Sequence, residues 1–101
     1  MTAVAEGHLL ALSGRLDVHA AADARLALAA AVDVGAGSLV LDLHGLEALD
    51  ATGLGVLVGA HRRAGRSGRT LVLRDVSPVV GRVLHRTRLD RVLQQESSGV
   101  A

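Results

Sequence analysis

The sequence predicts a single α/β domain, four or five strands in a mostly parallel sheet with three main helices. Three observations carry that expectation. Short apolar runs at residues 8–13, 38–43 and 70–73 are too brief for most helices and suit buried strands. Longer segments with apolar residues at helical spacing alternate with them. Capping residues and glycines stand at the joints. Such alternation implies parallel strands joined by right-handed crossovers, with functional loops at the strand ends.

Length and composition set the limits. A chain of 101 residues is enough for one core. Half of it is apolar but none of it is aromatic. The core is therefore expected to be Leu, Val and Ala, and aromatic platforms for stacking single-stranded nucleic acid are excluded. The absence of Cys rules out disulfides and thiolate metal sites. No apolar run approaches the ~20 residues of a membrane span, and Glu6 stands where a secretory signal would be basic. A cytoplasmic domain with no membrane association is expected. Every basic residue is Arg, which reads as codon usage, and a net charge of +1 gives no strong field for nucleic acid.

Taken in order, residues 1–7 read as a frayed end or the start of an edge strand. The strand at 8–13 is expected to break at Gly14, and residues 15–18 form an extended lead into a helix. From Ala20 to about Val34 the chain is Ala-rich, with Ala24, Leu28, Ala31 and Val32 on one stripe and Asp17 or His19 near the start. Gly35 is expected to take the left-handed conformation that ends this helix. After the strand at 38–43, residues 44–49 read as a connection anchored by Leu46 and Leu49. A helix follows from 51 to 65, with Leu54, Leu57, Val58 and His61 on its stripe and Asp50 as N-cap. Gly65, Ser67 and Gly68 end it among Arg62, Arg63, Arg66 and Arg69, a cluster that reads as ordinary chemistry of a helix C-terminus. Ser77-Pro78 starts the third helix, with Val79, Val80, Val83 and Leu84 on its apolar face. Residues 89–93 form a last strand or a helical turn. The polar stretch from Gln94 to Ala101 is expected to be loose.

Few residues carry chemistry. Gly53, Gly55 and Gly59 follow a strand and open a helix, but a dinucleotide fingerprint needs its third glycine where Val58 stands. Packing suits them better: Gly55 and Gly59, four apart, line one helix face and let another backbone or a partner approach. Each costs roughly 1 kcal/mol of helix propensity relative to Ala. The five histidines stand singly without metal-ligand spacing, and no serine has a G-x-S-x-G context. Asp42 and Asp50 flank one loop and are the one carboxylate pair placed to approach each other. No metal or cofactor is implied, and an enzyme is not expected. Thr52 falls in the first helical turn, where free N–H groups and the dipole favour an anion, so its hydroxyl is a place for a phosphate or simply supports the cap.

Leu41-Asp42-Leu43 followed by Leu49-Asp50-Ala51-Thr52-Gly53-Leu54-Gly55 resembles the signature of STAS domains, specifically the bacterial anti-anti-sigma factors (anti-sigma factor antagonists). Leu12-Ser13-Gly14-Arg15-Leu16-Asp17 is similar to the family's G-E-L-D element, with Arg15 in place of Glu. The resemblance spans about residues 4–95 and implies a single STAS-like domain with a mixed sheet. It implies a binding module, monomeric or weakly dimeric, that docks on an anti-sigma factor of the GHKL kinase type and frees a sigma factor. That partner phosphorylates the antagonist and blocks docking, and a phosphatase reverses the change. Asp17, Asp50, Ala51, Thr52, Gly53, Leu54 and Gly55 would form the contact surface. The family's usual phosphoacceptor position is Ala51 here, which leaves Thr52 as the one hydroxyl in the motif. Regulation is therefore expected to be lost or atypical. The alternative within the family is an adaptor subunit, for example in a lipid transporter.

Overall fold

Strand β2 (Leu9–Leu16) is the hub of the sheet, because three other strands pair with it. The computed structural model describes residues 1–97. β1 (Thr2–Glu6) runs antiparallel along β2 and forms an exposed edge. β3 (Ser38–Asp42) pairs parallel with the first half of β2, from Leu9 to Ala11, and β4 (Leu46–Leu49) pairs parallel with its second half, from Gly14 to Leu16. Beyond β3 lie β5 (Thr70–Arg74) and β6 (Gln94–Glu96), both parallel, giving the order β1-β2-β3-β5-β6 with β4 off that path. The predicted α/β class holds, with a mixed sheet. The three helices are α1 (Ala21–Asp33), α2 (Ala51–Arg66) and α3 (Pro78–Arg86), and a 3-10 turn covers Leu89–Arg91.

The strands differ from expectation in three ways, each with a local cause. Gly14 does not end β2: the register shifts between Gly14 and Arg15, and pairing with β4 carries the strand on to Leu16. Residues 44–49, read as a connection, contain β4, where Leu46 alone is fully buried. The stretch expected to be loose supplies β6, held by backbone pairing to β5 while its own side chains face solvent. Residues 98–101 of that stretch lie outside the described residues. β4 and β6 raise the strand count to six, above the expected four or five.

The core is aliphatic, as composition requires. Leu10 stands opposite Leu41, Leu39 opposite Leu71, and Leu41 opposite Leu73. Alternate residues share a face, so these leucines form one ladder across three strands. α1 contributes Ala24, Leu28 and Val32, and α2 contributes Val56, Leu57, Ala60 and Ala64. On α2, Leu57 is buried as expected, whereas Leu54, Val58 and His61 sit at the edge of the buried stripe.

Arg69 accounts for a further correction. Gly37, at φ 76°, takes the left-handed conformation that was expected of Gly35. The last carbonyls of α1 are satisfied by a side chain instead: Arg69 Nη1 donates to Ala31 O at 2.9 Å and Val32 O at 3.0 Å. Its Nε donates to Gly37 O at 3.0 Å, and the residue is only 6 % exposed. A cation at a helix C-terminus was expected here, but this one serves α1 and not α2.

Candidate functional site

The start of α2 is built by one carboxylate. Asp50 has an extended backbone (φ −102°, ψ −178°), and its Oδ1 accepts from Gly53 N at 2.8 Å, which caps the helix. Its Oδ2 accepts from Val18 N at 3.0 Å, and its own N–H donates to Leu16 O at 3.3 Å. A single side chain thus ties the exit of β2, the exit of β4 and the first turn of α2. Gly53 completes the joint. A Cβ at this position would overlap the carbonyl oxygen of Leu16, so only glycine lets the helix sit this close to β2.

Asp17 organises the neighbouring turn. Its Oδ1 accepts from His19 N at 3.0 Å and Ala20 N at 3.2 Å, and its Oδ2 lies 3.6 Å from Arg15 Nε. Desolvation pushes the carboxyl up, but the Ala20 and His19 N–H groups outweigh it, aided by the charges of His19 and Arg15. The net effect holds Asp17 below the ordinary aspartate value. The turn stands directly before α1, whose N-cap, Ala20, has no side chain able to accept. The expectation of Asp17 near the helix start is met one turn upstream.

The predicted site residues therefore fall at one end of the molecule but in different roles. Asp50, Ala51 and Gly55 are exposed, whereas Asp17, Thr52 and Leu54 are half-buried. Gly53 is buried, so it shapes the loop without presenting a surface of its own. Ala51 is the first helical residue and Thr52 the second, and no hydrogen bond engages the Thr52 hydroxyl among the described residues. Asp42 and Asp50 do not form a carboxylate pair. Asp42 accepts from His44 N at 2.9 Å and lines a cavity of about 1060 Å³ with His44, Asp75 and Glu96, and Asp50 is not part of it. No group of three or more His, Cys, Asp or Glu side chains able to hold a metal exists among the described residues.

Sequence reasoning missed two residues. Val18, 60 % exposed, stands beside Asp50 and offers an apolar contact at the loop. Leu26, 71 % exposed, lies on α1 away from its buried stripe. An off-stripe leucine on an otherwise alanine-rich helix was the signal for it.

A capped helix start with an exposed loop at the end of a mixed sheet defines a small α/β domain with three helices. The comparisons give its family. Residues 2–95 match the family model described as "Mlab, STAS domain", and the chain belongs to the STAS family. It is 30 % identical over 86 residues to the anti-sigma F factor antagonist of Paenibacillus polymyxa, covering 84 % of this chain and 74 % of that protein. An anti-sigma factor antagonist from Mycobacterium paratuberculosis superposes with a TM-score of 0.79 at 29 % identity, over 93 % of this chain and 83 % of the other. The anti-sigma factor antagonist SpoIIAA in its unphosphorylated form gives 0.75 at 22 % identity, over 96 % and 88 %, a likeness of fold. The chain is an anti-sigma-factor-antagonist-like STAS protein. No helix among the described residues is long and apolar enough to cross a membrane.

Proposed function

We propose that this chain is an anti-sigma factor antagonist: it docks on an anti-sigma factor of the kinase type and thereby releases a sigma factor. The observation that carries the reading is the exposed helix start at Asp50 to Gly55, held in one conformation by the Asp50 carboxylate. A preorganised loop loses little conformational entropy on docking. The relative from Paenibacillus polymyxa supports the same assignment. The chain acts here as a binding module and not as an enzyme.

The switch is lost or altered. The first helical position carries Ala51, which has no hydroxyl, and Thr52 one residue on is half-buried. A phosphate at this loop would bring roughly −1.5 to −2 charges into the contact and disrupt it. Incubated with the anti-sigma factor of its own cell and ATP, the wild type is expected to stay unmodified, and Ala51→Ser to gain one phosphate. A phosphate on the wild type that Thr52→Ala removes would reinstate Thr52 as acceptor. Thr52→Glu should weaken docking about tenfold or more, the equivalent of ~1.4 kcal/mol. If purification of the chain from its cell yields transporter subunits and no anti-sigma factor, the adaptor reading replaces this one.

A further inference from the structure

We infer that the groove between α1 and α2 is a second docking element, and that it receives an acidic amphipathic helix of the protein partner. The inference rests on the docking function proposed above and extends it along the molecule. α1 and α2 start side by side, since Asp50 on α2 binds the turn before α1. They also end side by side, where Arg63 pairs with Asp33 at 2.7 Å. The groove between them has a volume of about 590 Å³, and Leu26, Ala29, Gly55 and Gly59 are among the residues that line it.

Two features are left unexplained by the fold. A Cβ on Gly55 or Gly59 would meet nothing within 4 Å, so neither glycine is needed for internal packing. Each still costs roughly 1 kcal/mol of helix propensity. Leu26 contributes nothing to the core, as its exposure shows. Together they make a smooth apolar trough with one large side chain to grip, the geometry in which a helix lays its apolar face.

Charge selects the occupant. Arg25 on α1 and Arg66 on α2 line the groove, and neither has an ion pair among the described residues. Asp23, the acidic residue of the first turn of α1, lines a separate cavity with Asp17. A second copy of this chain would set arginines against arginines, which disfavours self-docking. A helix with Asp or Glu flanking a Leu-type anchor meets both the apolar lining and the arginines.

The test titrates the purified anti-sigma factor of the same cell against four forms of the chain by calorimetry: wild type, Gly59→Leu, Arg25→Glu with Arg66→Glu, and Thr52→Glu. Gly59→Leu fills open space and improves helix propensity, so its thermal stability should be equal or higher. It should nevertheless bind about tenfold more weakly. The double charge reversal should lose as much, and the loss should shrink in about 0.5 M salt. If both groove variants bind within about twofold of wild type while Thr52→Glu fails, the loop docks and the groove proposal is overturned. If the wild type binds no anti-sigma factor, the docking reading falls and the groove proposal falls with it. Self-association of the wild type that Gly59→Leu abolishes would make the groove a self-interface and overturn the proposal as well.

Discussion

Gly53 and Gly59 lie on the same helix, six residues apart in sequence, and have opposite physical meanings. Gly53 is buried against the backbone of Leu16, where no other residue fits, while Gly59 faces open space where any residue fits. The first belongs to the fold and the second does not. Glycines in one motif thus need separate accounts, and only a position the fold leaves unconstrained can report on a partner.

The largest expected effect would break this contrast if it failed. Gly53→Ala pushes a methyl into the Leu16 carbonyl, and α2 must lift from β2 or the loop must distort. Overpacking of a tight site costs typically about 1–3 kcal/mol, and this one abuts backbone, so about 3 kcal/mol is expected. Gly55→Ala and Gly59→Ala should instead stabilise by roughly 0.5–1 kcal/mol each. Urea denaturation of the three variants decides it. Equal losses at all three positions would show that the groove glycines also pack internally.

A smaller effect sharpens the comparison at the other side of the same joint. Asp50→Ala removes the cap on Gly53 N and the acceptor for Val18 N together. N-cap removal costs about 0.5–2 kcal/mol, and with the second acceptor lost the upper part of that range is expected. Asp50→Asn retains one side-chain oxygen and should recover a portion. Hydrogen exchange should rise at Val18 and Gly53 and stay unchanged at Gly59. Faster exchange at Gly59 as well would mean that the whole helix depends on its cap.

These residues also mark what was legible beforehand. The Asp50 cap, the Ser77-Pro78 start and the leucine strands follow from local patterns that the structure keeps. Ser77 Oγ accepts from Val80 N at 3.4 Å, with Pro78 at the first helical position. β6 was not legible, because Gln94, Gln95 and Glu96 bury no side chain and are held by backbone pairing to β5, with one exposed ion pair from Glu96 to Arg74. β4 was hidden for a related reason: four residues with a single fully buried leucine look like a loop. Arg69 was read with its neighbours as the end of α2, and its partners are 31 to 38 positions away in sequence. At the site, the loop was readable from its signature. That Gly53 is steric and Gly55 is not depends on the placement of Leu16, which no spacing in the sequence encodes.

The smallest effect separates the two ends of the α1–α2 pair by acid and salt. The Arg63 guanidinium beside Asp33 holds that carboxyl below the ordinary aspartate value, and backbone N–H groups do the same for Asp17 against its desolvation. Both folded-state values are depressed, so the stability they contribute is complete above the unfolded value of about 4. It is lost as pH falls from there through the folded values. Asp33 is open to solvent and Asp17 is partly exposed, which keeps the effect modest. Their mechanisms differ: the ion pair is screened by salt, whereas the N–H bonds to Asp17 are local and are not, so salt removes only the smaller share that His19 and Arg15 contribute there. Thermal melts from pH 6 to 2 at about 0.02 M and about 0.5 M salt should show this. Relative to wild type, Asp33→Asn should flatten the acid limb at low salt and change it little at high salt, and Asp17→Asn should flatten it at both. If Asp33→Asn has the same effect at both salt concentrations, the pair at the far end of the groove acts through shape and not charge.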